Sequence, residues 1–302
     1  DPRGWLHMNE AEIKTRITEI ELEMASPLFW ANKARAQERV KEFNELKEAL
    51  LGVGRYDKGN ALLTILAGPG GDDAEDFAAM LARMYQKFAE KNGWDMPIFH
   101  QNENDHGGYR NITFEIKGKR AYGELKNESG VHRLVRISPF NANQKRHTSF
   151  AMVEVVPELP VADKEIAIPE ADLKIEFSRS SGPGGQNVNK RETAVRVVHI
   201  PSGIAVHADS ERSQERNHEK ALTLLRGKLY KKRQEDREKE ASGMRVGSTV
   251  SAEWGSQIRS YVLHPYKMVK DHRTGAETSD VDAVLNEGSL ELFIEAEKNI
   301  AK

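Results

Sequence analysis

The segment best equipped for chemistry is Ser180-Ser181-Gly182-Pro183-Gly184-Gly185-Gln186-Asn187-Val188-Asn189-Lys190. Glycines around a proline make an irregular loop whose backbone reaches φ values closed to other residues. Such a loop can bring bare backbone N–H groups against a ligand. Gln186 adds a neutral amide at its tip, with no titratable acid or base beside it. Chemistry here rests on positioning and on N–H donation to a developing oxyanion rather than on general-base catalysis. Standing alone, a Gly-Gly-Gln is more often a surface turn between strands.

A second segment, His132-Arg133-Leu134-Val135-Arg136-Ile137-Ser138-Pro139-Phe140, is followed by His147-Thr148-Ser149-Phe150. Its bare reading is a strand, a turn at Pro139 and a second strand, and a generic hairpin explains it equally well. Other motifs fail. Gly68-Pro69-Gly70-Gly71-Asp72-Asp73 lacks the Gly-Lys-Ser/Thr of a phosphate-binding loop, and Asp73 stands at the third glycine position of a dinucleotide fingerprint. The 10 His residues show no metal-ligand spacing with partner carboxylates, so neither a metal site nor a cofactor is expected.

The positioning elements follow from periodicity. Residues 9–51 read as a helical hairpin broken at Ser26-Pro27, with apolar stripes of Ile13, Ile17, Ile20 and Leu22 and of Val40, Phe43, Leu46 and Leu50. Residues 61–67 read as a strand running into the Gly68–Gly71 turn. A helix follows with Asp72 or Asp73 near its N-cap and Phe77, Leu81, Met84 and Phe88 on one face, ending at Gly93. Residues 111–116 and 120–125 alternate about Lys117-Gly118-Lys119 as a hairpin, and 149–156 make a further strand. Residues 157–169 and 242–251 read as linkers. Between them lie strands at 173–177, 194–200 and 204–208 and a long helix over about 213–241 burying Leu222, Leu225 and Leu229.

Composition sets the outer bounds. Hydrophobic residues make up 38% and charged residues 30% of 302, with a net charge of −2, the balance of a charged globular protein. Basic clusters at Lys145-Arg146-His147, Lys190-Arg191 and Arg226 to Arg233 permit nucleic-acid contact without establishing it. Cysteine is absent, which removes disulfides and thiolate chemistry and points to a reducing, cytoplasmic setting. No apolar run approaches the roughly 20 residues that span a bilayer, so no membrane partner is expected. No secretory leader is read either, and residues 1–7 are set aside as non-native, since Asp1 is no initiator and His7-Met8 resembles a cloning junction.

Residues 179–196 resemble the peptidyl-tRNA hydrolysis loop of bacterial-type class 1 peptide release factors. The resemblance continues through Ile200-Pro201-Ser202-Gly203-Ile204, Asp209-Ser210-Glu211-Arg212-Ser213-Gln214, residues 130–150, residues 254–263 and Val269-Lys270-Asp271-His272-Arg273-Thr274-Gly275. It covers nearly everything after about Asp57. It implies an α+β multidomain chain: a shortened helical N-terminal domain (1–56), a codon-reading α+β domain (57–166), an inserted α+β Gly-Gly-Gln domain (167–253), and a C-terminal segment (254–302) packing on the codon-reading domain. Its implied function is translation termination at UAA and UGA, because Ser138-Pro139-Phe140 matches the tripeptide of type 2 factors.

The same resemblance supplies roles. Gly184 and Gly185 would give Gln186 its conformation, and the Gln186 N–H would stabilise the transition state for hydrolysis of the peptidyl-tRNA ester. Ser138 would meet the second codon base through a rotatable hydroxyl. His147 would wedge between the second and third bases, and Thr148 would bond the first or third. The helix N-terminus after Gly70 and Gly71, with Asp73, would meet the first-position U. Trp254 would belong to a switch loop stacking on decoding-centre rRNA. The implied partners are the ribosome, the mRNA stop codon, P-site peptidyl-tRNA, a methyltransferase that N5-methylates Gln186, and a recycling GTPase; a monomer is expected. The isolated chain would be inert towards simple esters, because the ribosome supplies much of the active site.

Departures from the family temper that reading. About one N-terminal helix is missing between Leu51 and Gly52, which weakens the case for the recycling GTPase. Asp73 replaces the family's usual Glu, and Asn141-Ala142-Asn143-Gln144-Lys145 replaces a more Gly-rich loop. Two rival readings are a stalled-ribosome rescue hydrolase and a non-hydrolytic occupant of the ribosomal A site.

Overall fold

The computed structural model describes residues 10–26, 29–30, 32–50, 56–159, 168–178, 193–241 and 256–298. The chain divides into a unit of residues 1–57 with 301–302 and a unit of residues 58–300.

In the first unit, α1 (Glu10–Met24) and α2 (Lys33–Leu50) pack on each other. Ile17, Ile20 and Leu46 form their core, with Ile13, Met24 and Phe43 against it. Leu22, expected on the buried stripe, is 71% exposed. It lies about 200° round the helix from Ile20, whereas Met24, partly buried, packs against the core. Arg16 reaches across to Glu42 at 2.9 Å.

The second unit is built on a sheet of eight strands. These are β1 (Ala61–Ala67), β2 (Ile98–Glu103), β3 (Tyr109–Ile116), β4 (Gly130–Ile137), β5 (Arg146–Pro157), β9 (Gln257–Val262), β10 (Met268–Asp271) and β11 (Glu277–Thr278), ordered β11-β10-β9-β4-β5-β1-β3-β2. β1 is an interior strand, with Leu63 opposite Phe114 of β3 on one side and Val155 of β5 on the other. Its residues 61–65 are all buried, so it reads as an apolar run rather than an alternation. Helix α3 (Asp72–Lys91) covers the sheet, burying Phe77, Leu81, Met84, Tyr85 and Phe88 at helical spacing. Its N-cap is Gly71, with no side-chain cap, although Asp72 and Asp73 follow at once. β9 lies parallel to β4, so the C-terminal stretch completes this sheet, and α6 (Val281–Glu287) and α7 (Glu291–Glu297) follow.

The hairpin expected at 111–125 does not form. Residues 121–125 are helix α4, burying Ala121, Tyr122 and Leu125, which share one helical face. β3 already has both neighbours, β1 on one side and the polar edge strand β2 on the other. Gly118 is required by packing, since a Cβ there would lie 2.1 Å from Cδ1 of Trp94. β2 gave no sequence signal, because its Ile98-Phe99-His100-Gln101-Asn102-Glu103 is mostly polar.

A separate antiparallel sheet, β6 (Leu173–Ser178), β7 (Ala194–His199) and β8 (Ile204–Ala208), is backed by α5 (Gln214–Ala241). Ala221, Leu224, Leu225 and Leu229 are buried on α5, whereas Leu222, expected among them, is half-buried. Gly227 brings α5 so close to β5 that a Cβ would meet the carbonyl of Pro157 at 2.7 Å. One turn position beyond, Lys228 pairs with Glu154 at 2.5 Å. Among the described residues no helix is long and apolar enough to cross a membrane.

Candidate functional site

Two loops meet at one end of the large sheet. The first joins β1 to α3 through Gly70 (φ 145°) and Gly71 (φ 63°), backbone states that side chains other than glycine's rarely adopt. The Gly68 N–H donates to the Phe150 carbonyl at 2.8 Å, tying this loop to β5. The second joins β4 to β5 and is closed by the Ser138 N–H donating to the Lys145 carbonyl at 3.0 Å. The start of α3 therefore faces the Ser138-Pro139-Phe140 turn.

Asp73, in the first turn of α3, organises the contact. Its Oδ2 accepts from the Ser138 hydroxyl at 2.7 Å and lies 2.7 Å from His147 Nδ1. The Asn141 side-chain amide lies 3.2 Å from His147 Nε2. That pairing assigns His147 a proton on Nδ1, donated to Asp73, and leaves Nε2 to accept from Asn141. Arg136 on β4 sits 3.5 Å from Asp73 and 2.5 Å from Asp76. Burial pushes the Asp73 carboxyl up, but hydrogen bonds from Ser138 and His147 and the Arg136 charge outweigh it and hold it below the usual carboxylate range.

Ser138 is buried, and its hydroxyl also accepts from the Phe140 N–H at 3.2 Å. The hydroxyl expected to rotate freely towards a base is thus engaged on both sides. Pro139 and Thr148 are exposed, and Phe140 is 43% exposed with its ring 6.1 Å from that of His106. Thr148 points to the opposite face of β5 from His147, as strand alternation requires. Gly70, Asp73, Ser138 and His147 come together, with Pro139 and Phe140 on the turn above them. Gly184, Gly185, Gln186 and Trp254 lie outside the described residues.

Sequence reading passed over Arg136, Asp76 and Asn141, which complete the cluster. It also missed the buried network that anchors β4. Arg259 of β9 grips Glu128 bidentately, at 2.8 and 2.6 Å, and reaches Glu297 of α7 at 2.6 Å and Asp271 of β10 at 3.3 Å. Tyr85 of α3 donates to the same Glu128 at 2.7 Å. His132 of β4 stacks on Tyr261 and is pushed down to about 4 by burial and by the Arg259 charge. Arg259 is wholly buried among three carboxylates, so the C-terminal strands and α7 are cross-linked to α3 and β4. No signal within any one segment reports this, because its members span residues 85–297.

Residues 8–153 match the PCRF domain and residues 162–273 match the RF-1 domain. The chain is 42% identical to Peptide chain release factor 2 of Thermotoga petrophila over 338 residues, covering 96% of this chain and 91% of that protein. It is 41% identical to Peptide chain release factor 2 of Listeria monocytogenes, with 98% and 93% covered. Both aligned stretches exceed the 302 residues of this chain, so these relatives carry internal segments that it lacks. In structure it is similar to RF2 of Thermus thermophilus, with a TM-score of 0.71 at 42% identity, covering 94% of this chain and 80% of that one. By domains, sequence and fold together, the chain belongs to the bacterial peptide chain release factors, alongside those named release factor 2.

Proposed function

We propose that this protein terminates translation by reading UAA and UGA in the ribosomal A site and promoting hydrolysis of the P-site peptidyl-tRNA ester. The observation that carries the codon-reading half is the convergence of Ser138, His147 and the α3 N-terminus on Asp73. A single-stranded codon offers base edges and ring faces, and this corner offers hydroxyl, imidazole, exposed aromatic and unpaired helix N–H groups to meet them. Phe140 and His147 supply the planar surfaces. Ser138 reaches a second-position A or G by exchanging its Asp73 bond for one to the base. Thr148 meets the first or third base, and Gly70 with the first turn of α3 meets the first-position U.

The hydrolytic half rests on Gly184, Gly185 and Gln186, which the RF-1 domain match spans in sequence. Gln186 donates its backbone N–H to the developing oxyanion while its side chain admits water. No titratable acid or base adjoins it in sequence, so on this reading the ribosome supplies the rest of the active site and the free chain leaves simple esters intact. Trp254 acts as a rRNA-stacking switch residue, and Gln186 is the target of N5-methylation. The reading is tested by peptide release from purified ribosomes programmed with UAA, UGA, UAG, a sense codon or an empty A site. Release on UAA and UGA alone is expected. Equal release on sense or empty sites would assign the protein to ribosome rescue, and none anywhere would leave an A-site occupant.

A further inference from the structure

We propose that His100, His207 and Asp209 form a binding site for one divalent transition-metal ion of the zinc class, which staples the three-stranded sheet to the edge of the large sheet. His100 lies on β2, the outermost strand of the eight-stranded sheet. His207 lies on β8, the outermost strand of the other sheet, and Asp209 follows directly after it. The two strands touch along this line.

The three side chains stand near the spacing of a ligand set, with His100 and Asp209 closer than a shared ion would hold them and His207 farther out. One potential donor atom from each residue lies within 4.8 Å of the others. His100 Nδ1 is 2.7 Å from Asp209 Oδ1, His207 Nε2 is 3.8 Å from Asp209 Oδ2, and the two imidazole centroids are 4.7 Å apart. Donors of a tetrahedral zinc ion at about 2.0–2.1 Å stand roughly 3.3 Å from one another, so movements of about an ångström complete the set. Two imidazoles and one carboxylate select zinc, cobalt or nickel over calcium or magnesium, which prefer oxygen alone. The side chains of His100 and Asp209 are 11% and 10% exposed, whereas His207 is 32% exposed. The fourth coordination position therefore opens to water on the His207 side.

The neighbouring cations do not block the site. Arg196, opposite His207 in the β7–β8 register, is held by Glu176 at 2.6 Å. Lys220 is held by Glu211 at 2.7 Å. The ligands come from positions 100, 207 and 209, on two different sheets, so no sequence spacing could disclose them. The alternative, a hydrogen-bonded His–Asp pair with a bystander imidazole, predicts no stoichiometric metal affinity. The inference is independent of what the Gly184-Gly185-Gln186 loop does.

The test uses the full chain freed of metal by chelation and titrated with Co²⁺. One equivalent should bind with the intense visible absorption of four-coordinate cobalt, and Zn²⁺ should displace it. His100→Ala and, as a gentler change, Asp209→Asn should each weaken binding at least 100-fold, while their metal-free melting curves stay within a few degrees of the parent. Retention of the cobalt spectrum in both variants, or no stoichiometric binding by the parent, would overturn the site. The staple is read separately. The chain has no cysteine, so Lys91→Cys and Lys174→Cys accept distance probes without background labelling. Zn²⁺ should narrow the inter-probe distance distribution in the parent and not in His100→Ala; an unchanged distribution on saturated parent would overturn it.

Discussion

Ser138 donates its hydroxyl to Asp73 at 2.7 Å across 65 residues of chain, joining the β4–β5 turn to the first turn of α3. The same carboxylate oxygen lies 2.7 Å from His147, so one acidic group sets the orientation of two side chains proposed to read a codon. Since Asp73 is held below the usual carboxylate range, it stays ionised, and the arrangement persists, throughout the neutral range. A depressed folded-state pKa means the stabilisation is complete above the unfolded value and fades only as pH falls through the lower folded one.

Replacing Asp73 by Asn keeps the shape but removes the charge that both partners use. Charge-assisted hydrogen bonds of this kind contribute about 1.5–3 kcal/mol. The concentration giving half-maximal release on UAA and UGA should therefore rise about tenfold or more, with smaller change in the maximal rate. Asp73→Glu, which keeps the charge on a longer side chain, should recover most of the loss. Equal half-saturation for Asp73→Asn and parent would remove Asp73 from codon reading.

Gly185→Ala should separate binding from chemistry. If Gly184 and Gly185 set the Gln186 N–H against the oxyanion, an added methyl should lower the release rate at saturation by at least 100-fold, a range typical of lost oxyanion donors. Competition between this variant and the parent for UAA-programmed ribosomes should show nearly unchanged binding. Loss of competition along with rate would instead place Gly185 in docking.

Arg259 is the wholly buried cation that touches Glu128, Asp271 and Glu297, and Arg273 also pairs with the last two. Arg259→Leu leaves Glu128 buried without its counter-charge, since Arg273 still pairs with Asp271 and Glu297, a change that costs about 3–5 kcal/mol. Denaturant unfolding monitored by tryptophan fluorescence should show that loss. A cost below about 1 kcal/mol, the scale of exposed pairs, would mean the network is solvated in solution.

His132 gives the pH signature. Its folded pKa of about 4 lies below the ordinary 6.5, because burial and Arg259 oppose its protonation. The unfolded chain takes up that proton first, so His132 costs the native state stability as pH falls from 6.5 towards 4, by up to about 1.4 kcal/mol per unit. Glu297, raised to about 8 by burial and by Glu128, acts in the opposite sense over part of that range. The difference between parent and His132→Gln cancels that shared contribution. The variant's deficit should shrink steadily between pH 6.5 and 4.5; a constant deficit would mean His132 titrates normally.

Much of the fold was legible because its elements carry their own periodicity. β1 is an apolar run between turn residues, α3 repeats its buried face through Phe77, Leu81, Met84 and Phe88, and the strands at 173–208 sit between glycine and proline breaks. Where a segment's face is decided by its neighbours, sequence misled. Residues 121–125 alternate as a strand would, yet form α4 because β3 already has both its partners. Leu22 is apolar yet exposed, because α1 offers α2 a stripe that passes through Met24 instead.

The site divides along the same line. Through the whole pattern after Asp57 the sequence disclosed the family to which the chain belongs, and only that resemblance singled out Gly70, Asp73, Ser138 and His147, whose bare pattern reads as a generic turn and hairpin. Only the tertiary structure decided that Asp73 faces Ser138 and His147, that Arg259 gathers Glu128, Asp271 and Glu297, and that His100 meets His207 and Asp209. Turns and helix stripes are set by residues a few positions apart, whose preferences are written locally. Charges and hydrogen bonds act over a few ångströms of space whatever the distance along the chain, so their partners exist only once the sheets have packed.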